Sequence, residues 1–147
     1  MITDSSVEIE AGASTVWNVF AAVEQWPDWT ASVSRLVALD GPEIEVGHRF
    51  EIKQPRLPKL VWEVTEVEPG VSWTWRARSP GASTFASHQV VSQGERTLVR
   101  QRIDQRGPGG IVVALLMRGL TNRYLELEAQ GLKTRSEELQ RRDASSA

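Results

Sequence analysis

Val71-Ser72-Trp73-Thr74-Trp75-Arg76-Ala77-Arg78 is the most regular stretch of this 147-residue chain. Apolar Val71, Trp73, Trp75 and Ala77 alternate with polar Ser72, Thr74, Arg76 and Arg78. Successive side chains of a strand point to opposite faces, so this segment is a strand with one dry face and one wet face. Pro69-Gly70 before it and Pro80-Gly81 after it are turn signals. A sheet with one dry face needs another layer to cover it.

The neighbouring runs repeat the pattern. Phe50 and Ile52 alternate with Arg49, Glu51 and Lys53 in the run from His48 to Lys53. Leu36 to Leu39, Leu60 to Val67, Ser83 to Val91 and Thr97 to Gln105 are further strands, each bounded by Gly or Pro. Leu60 to Val67 carries apolar residues on both faces. Short turns between consecutive strands make an antiparallel meander, because parallel neighbours need a crossover helix. A half-buried strand at Val7 to Glu10 opens the chain.

Helical patterns flank this strand region. Val16, Trp17, Phe20 and Val23 form an apolar stripe after Ser14, a candidate N-cap with which Gly12 competes. Pro27 disfavours helix at Trp26, so Trp26-Pro27-Asp28-Trp29 ends that helix, and a second short one is expected from about Trp29 to Ser34. After Pro108-Gly109-Gly110 only Gly119 and Gly131 interrupt a helical pattern from Ile111 to about Arg142. Val113, Met117, Leu120, Tyr124 and Leu127 mark its stripe. One sheet with a dry face and one long helix bury both surfaces if the sheet curls around the helix. The expected fold is therefore α+β: a curved antiparallel sheet of about seven strands around a long C-terminal helix, with two short helices after the first strand.

Composition narrows the function classes. With 40% hydrophobic and 24% charged residues the chain is neither disordered nor fibrous. It fits one domain over 1–147, with a core at about 5–141 and a solvated tail at 142–147. Its net charge of −2 argues against a nucleic-acid binder. It has no Cys, which excludes disulfides and thiolate chemistry. The longest apolar run, Ile111 to Met117, is too short to span a membrane. A cytoplasmic protein, monomer or homodimer, without membrane or nucleic-acid partner, is the expectation.

The order of elements, Val16-Trp17, Trp26-Pro27-Asp28-Trp29 and Gly94-Glu95-Arg96-Thr97 together resemble the START-like, helix-grip (SRPBCC) superfamily, and more narrowly its polyketide cyclase/dehydrase branch. The resemblance runs from about Ser5 to Arg141. It implies a deep cavity between sheet and long helix that takes a small hydrophobic molecule. It does not imply one reaction, since the superfamily includes both cyclases and carriers of hydrophobic ligands.

Candidate site residues follow from the dry faces. Trp73 and Trp75 are either core filling or a wall that stacks flat rings. Phe50 and Gln101 share the dry side of their strands, and Met117, Leu120 and Tyr124 lie on the helix stripe. His88 sits in Thr84-Phe85-Ala86-Ser87-His88-Gln89-Val90. In one register Thr84, Ala86, His88 and Val90 face inward and the imidazole is the best candidate for acid–base chemistry; in the other, His88 is on the surface. The expected ligand-binding set is Phe50, Trp73, Trp75, His88, Gln101, Met117, Leu120 and Tyr124. Glu63 is a further candidate inward polar group.

Other motifs yield less. His48, after Gly47, reads as a turn or rim residue. Two histidines forty residues apart, without clustered carboxylates, make no metal site, and no cofactor is expected. There is no G-x-S-x-G, and Gly107-Pro108-Gly109-Gly110 lacks the Lys of a phosphate loop, so it reads as a strand-to-helix turn. Gln54-Pro55-Arg56-Leu57-Pro58-Lys59 is either a lid with steering cations or a stiff surface turn. Ile111 to Met117 either borders the cavity entrance or meets a second subunit. Arg118, Arg123, Arg135, Arg141 and Arg142 read as a solvated helix face balanced by Glu126, Glu128, Glu137 and Glu138. Two functions stay open: a binding or carrier protein for a small apolar or aromatic molecule, and a cyclase/dehydratase-type enzyme acting by positioning and acid–base help.

Overall fold

The computed structural model describes residues 1–146; Ala147, the end of the expected tail, lies outside them. Seven strands form one sheet: β1 (Ile2–Ile9), β2 (Arg35–Ala38), β3 (Arg49–Lys53), β4 (Leu60–Glu68), β5 (Ser72–Ser79), β6 (Ala82–Gln93) and β7 (Arg96–Arg106). Their spatial order is β1-β7-β6-β5-β4-β3-β2, with every neighbour antiparallel. Helix α1 (Ala13–Ala21) and a 3₁₀ turn (Val23–Asp28) follow β1; α2 (Gly110–Leu116) and α3 (Arg118–Ser146) close the chain. The helix-grip architecture expected from the sequence is the one observed.

Registers settle the faces. Inward partners across β6 and β7 are Thr84–Gln105, Ala86–Ile103, His88–Gln101 and Val90–Val99. Trp73, Trp75 and Ala77 on β5 and Phe50 and Ile52 on β3 are buried. Val71, by contrast, falls just before β5 and is 36% exposed, so it does not extend the dry face. The two-faced apolar pattern of β4 has a local cause. The ladder slips at Thr65, so Val64 faces Trp75 while Val67 faces Trp73. The β-bulge thereby returns Trp62, Val64 and Val67 to one side. Outward side chains make exposed ion pairs such as Arg102–Asp4 at 2.8 Å, which add little stability.

The helices depart from expectation in two places. Helix α1 is capped by Gly12 without a side-chain bond and stops at Ala21. The second short helix is the 3₁₀ turn over Val23–Asp28, upstream of the expected Trp29 to Ser34, and it contains Trp26 and Pro27. A short run of i→i+3 bonds, such as Gln25 N–H to the Ala22 carbonyl, needs few donors and tolerates a proline. The long terminal helix breaks at Met117 (φ −101°, ψ 7°), two residues before Gly119, the weakest helix former of that region. The break separates α2, which lies beyond the end of β7, from α3, which crosses the sheet.

Two close approaches fix the helices. The Gly109 amide donates to the Gly81 carbonyl at 2.9 Å, and a Cβ on Gly107 would overlap the same carbonyl. The glycine-rich segment is thus a strand-to-helix turn locked onto the β5–β6 hairpin. In α3, Gly131 lies against the Trp29 carbonyl, with no room for a Cβ. Beyond it Leu132 and Ser136 are buried, the Glu137 carboxylate accepts from the Glu10 amide at 2.8 Å, and the Gln140 side chain accepts from the Gly12 amide at 3.1 Å.

These contacts make a paired expectation. Helix propensity favours Ala over Gly by about 1 kcal/mol, and Gly119 has open space, so Gly119→Ala should stabilise by about that amount. Gly131→Ala should instead destabilise by about 1–3 kcal/mol, because backbone must move. Urea unfolding of both variants measures the opposite signs.

Candidate functional site

Sheet and helix part company toward the start of α3. A cavity of about 420 Å³ lies between them. Its floor is β6 and β7 (Thr84, Ala86, His88, Gln101, Ile103, Gln105), and one wall carries Trp26, Ile52, Trp62 and Trp75. The roof comes from Val113, Leu116, Met117, Leu120, Thr121, Tyr124, Leu125 and Glu128. Leu116 lines the cavity yet is 78% exposed, so α2 forms its rim.

Six of the eight expected site residues converge here: Trp75, His88, Gln101, Met117, Leu120 and Tyr124. Phe50 and Trp73 do not. Both are fully buried behind the wall, Phe50 against Trp75 and Trp73 against Phe20 and His88. The core needed their volume, and alternation alone does not distinguish a wall from what lies behind it. Glu63 points outward and pairs with Arg76 at 3.7 Å. His48 is a loop residue, its Nδ1 2.9 Å from the Glu43 carbonyl and its Nε2 3.3 Å from Glu45.

The Pro-bracketed loop borders the opening. Gln54, Leu57 and Pro58 line it, and the Tyr124 hydroxyl donates to the Pro55 carbonyl, tying the loop to α3. Arg56 is exposed and Lys59 pairs with Glu51 at 3.4 Å, so neither cation lines the cavity.

His88 adopts the inward register. Its ring stacks on Trp73 (4.2 Å, 13°) and meets Phe20, Trp26 and Trp75 edge-on at 5.3–5.8 Å. Its Nδ1 is 3.4 Å from the Trp73 carbonyl. A carbonyl only accepts, so the proton sits on Nδ1 and Nε2 is left as an acceptor. Burial among aromatic rings lowers its pKa to about 3, against a smaller upward pull from the Trp73 carbonyl. The imidazole is neutral at physiological pH.

Glu128 contradicts its reading as part of a solvated, charge-balanced face. It is 8% exposed, and its carboxyl reaches the cavity with the side chains of Ser32 and Gln101 as hydrogen-bonding neighbours. Ser32 is itself held by Thr30 at 2.8 Å. No Lys or Arg lines the cavity among the described residues, so no cation compensates the charge. Burial raises the Glu128 pKa to about 8, only partly offset by Ser32 and Gln101. The group is a carboxylic acid at neutral pH. The available signal was spacing: Glu128 is four residues past Tyr124, on the face that continues to Leu132.

No helix is long and apolar enough to cross a membrane, and no group of three His, Cys, Asp or Glu is placed to hold a metal, both among the described residues.

The two buried groups shape stability against pH. Folding takes up a proton at Glu128 between pH 4.5, its ordinary value, and about 8, so stability falls with rising pH across that window. Folding releases a proton from His88 between about 3 and its ordinary 6.5, so stability rises with pH there. Each slope is about 1.4 kcal/mol per pH unit, and they cancel from 4.5 to 6.5. Above 6.5 the Glu128 decline stands alone up to about 8. Glu128→Gln should remove that decline, so its stability advantage over wild type should widen from pH 6.5 to 8 in urea unfolding.

Comparison with known proteins fits this geometry. Residues 2–137 match the family model described as polyketide cyclase/dehydrase and lipid transport. No curated protein sequence matches the chain. Among solved structures, a START superfamily protein from Mycobacterium smegmatis aligns with TM-score 0.73 at 18% identity, over 94% of this chain and 98% of that one. A hypothetical protein from Helicobacter pylori aligns with TM-score 0.79 at 14% identity, over 92% of this chain and 88% of that one. Norcoclaurine synthase from Thalictrum flavum, in complex with dopamine and hydroxybenzaldehyde, aligns with TM-score 0.73 at 14% identity, over 94% and 87%. Likenesses this distant establish the fold, and the family match extends over nearly the whole chain: it belongs to the polyketide cyclase/dehydrase and lipid transport family, on the START-like helix-grip (SRPBCC) fold.

Proposed function

We propose that the protein binds a small apolar or aromatic ligand in the cavity between sheet and α3, as a binding or carrier protein. The observation that carries this reading is the cavity itself. Its roughly 420 Å³ falls within the usual range for small-molecule sites. Its lining is predominantly apolar, and Trp26, Trp62 and Trp75 form its aromatic border. The exposed rim of α2 gives a ligand apolar contacts at the opening. Norcoclaurine synthase, of the same fold, is described with two small aromatic molecules.

His88, the acid–base candidate of the sequence, gives catalysis no support. Its pKa of about 3 makes its free nitrogen a weak base, poorly matched to abstracting a proton near neutral pH. It serves better as a neutral, stacked part of the wall.

Calorimetric titration with 2-ethylnaphthalene, a hydrocarbon of suitable size, tests the reading. A Kd of roughly 1–100 μM is expected from ordinary ligand efficiencies. Ala86→Phe on the floor and Leu120→Trp in the roof should each weaken binding at least about tenfold by filling the space. His88→Ala should change affinity by no more than about tenfold, the value of one hydrogen bond. Absence of binding to folded wild-type protein would overturn the proposal.

A further inference from the structure

The cavity is not uniformly apolar. At its inner end Gln101 stands directly opposite His88 across the β6–β7 ladder, and Gln101 and Ser32 flank the Glu128 carboxyl. We propose that this end is a headgroup site for an uncharged, hydrogen-bond-accepting oxygen, a ketone or quinone carbonyl, which takes the O–H of Glu128 with Gln101 as its neighbour. The proposal rests on the ligand-binding reading above and adds the chemical class of the ligand to it.

The geometry selects a carbonyl in three steps. First, Glu128 is the only acidic residue on the lining, among the described residues, and no basic side chain joins it there. An anionic headgroup would therefore meet no cation, and its desolvation would go uncompensated. A cationic headgroup would require Glu128 to give up its proton, and no second carboxylate lines the cavity to assist it.

Second, the groups facing Glu128 from each packed element leave it a donor. His88 on β6 is neutral. Strand β7 contributes Gln101, Ile103 and Gln105, none of them titratable. Ser32 and Val33 approach from the segment after the 3₁₀ turn. On α3 itself the Tyr124 hydroxyl, one turn earlier, is committed to the Pro55 carbonyl. The carboxylic acid thus keeps its proton, and a carboxylic O–H is a strong donor.

Third, Leu at position 128 would continue the apolar face of Tyr124, Leu125 and Leu132 without a polar group to satisfy. The carboxyl is the one ionisable acid on a predominantly apolar lining, and it sits where Gln101 and Ser32 can orient it. A ligand whose apolar body fills the cavity would place its carbonyl at this end.

Three probes sharing one ring system test this: 2-acetylnaphthalene (ketone), 2-ethylnaphthalene (hydrocarbon) and 2-naphthoate (anion), titrated calorimetrically at pH 6.5. The ratio of ketone to hydrocarbon affinity should fall about tenfold in Glu128→Leu and stay within about threefold of wild type in Glu128→Gln, which keeps an N–H donor. The anion should bind at least about tenfold more weakly than the ketone. The wild-type ratio should decline as pH rises through about 8, while the hydrocarbon affinity does not. The infrared carbonyl stretch of the bound ketone should lie lower in wild type than in Glu128→Leu. An unchanged ratio in Glu128→Leu, or naphthoate binding as tightly as the ketone, overturns the headgroup site while the ligand-binding reading stands. Failure of folded wild type to bind any of the three overturns both.

Discussion

The structure depends on one uneven fit. A straight helix laid along a bent sheet cannot stay equally close to it over its whole length. Here contact is concentrated at the far end of α3. Gly131 presses on the Trp29 carbonyl, Leu132 and Ser136 are buried, and Glu137 and Gln140 accept from amides at the β1–α1 turn. With that end fixed, the beginning of α3 stands away from the sheet. Native packing density would otherwise fill such a space, and the side chains between Val113 and Glu128 do not fill it. The cavity is therefore a consequence of where the helix is fastened, and the small residues Thr84 and Ala86 beneath it keep the floor low.

The aromatic residues divide between two tasks according to their depth along the same sheet. Phe20, Phe50 and Trp73 are fully enclosed and pack against one another's neighbours at 4.9–5.8 Å, forming the rigid backing. Trp26 and Trp75 rest on that backing, Trp62 packs on Trp75, and all three border the cavity while staying largely buried. Trp26 is held in orientation by donating its indole N–H to the Phe20 carbonyl at 2.8 Å. His88 lies at the junction, stacked on one group and lining the space of the other. Its neutrality follows from that position, since four aromatic rings surround it and no carboxylate pairs with it.

Much of this was legible from residue order because two periodicities dominate the chain. Strands β3 and β5 alternate cleanly, and their faces were assignable without coordinates. The Pro and Gly punctuation placed the middle strands to within a residue or two of their ends. What escaped had specific causes. Both faces of β4 appear apolar because a bulge at Thr65 resets the parity of Val67 while Val61 stays exposed on the outer face, and a bulge leaves no mark in a hydrophobic pattern. Either register of β6 buries apolar side chains, so His88 was fixed only by its pairing with Gln101 and Trp73. Glu128 was concealed by its own chemistry. On a helix rich in Arg and Glu, a carboxylate is taken for surface, and the i+4 step from Tyr124 competes with the equally good i+3 step to Leu127.

That concealed residue bears on how the fold relates to function. A polar group on an apolar lining is a local inconsistency, and in natural proteins such departures gather at functional positions. Glu128 lowers stability across the pH range in which most proteins work, through a proton that the unfolded chain would release and the folded one must keep. An aliphatic side chain of similar size would remove that penalty and leave the helix, the sheet and the Gly131 contact intact. The carboxyl is consequently not part of what holds the fold together. Its neighbours point the same way: Thr30 holds Ser32, and the ladder opposite His88 holds Gln101, so the acid sits between two groups fixed by backbone-level structure. A fixed donor at the inner end of an apolar cavity is what recognition of a polar atom on an otherwise apolar molecule requires. The helix-grip scaffold supplies the space; the chemistry of this particular chain is concentrated where its hydrophobic pattern is interrupted.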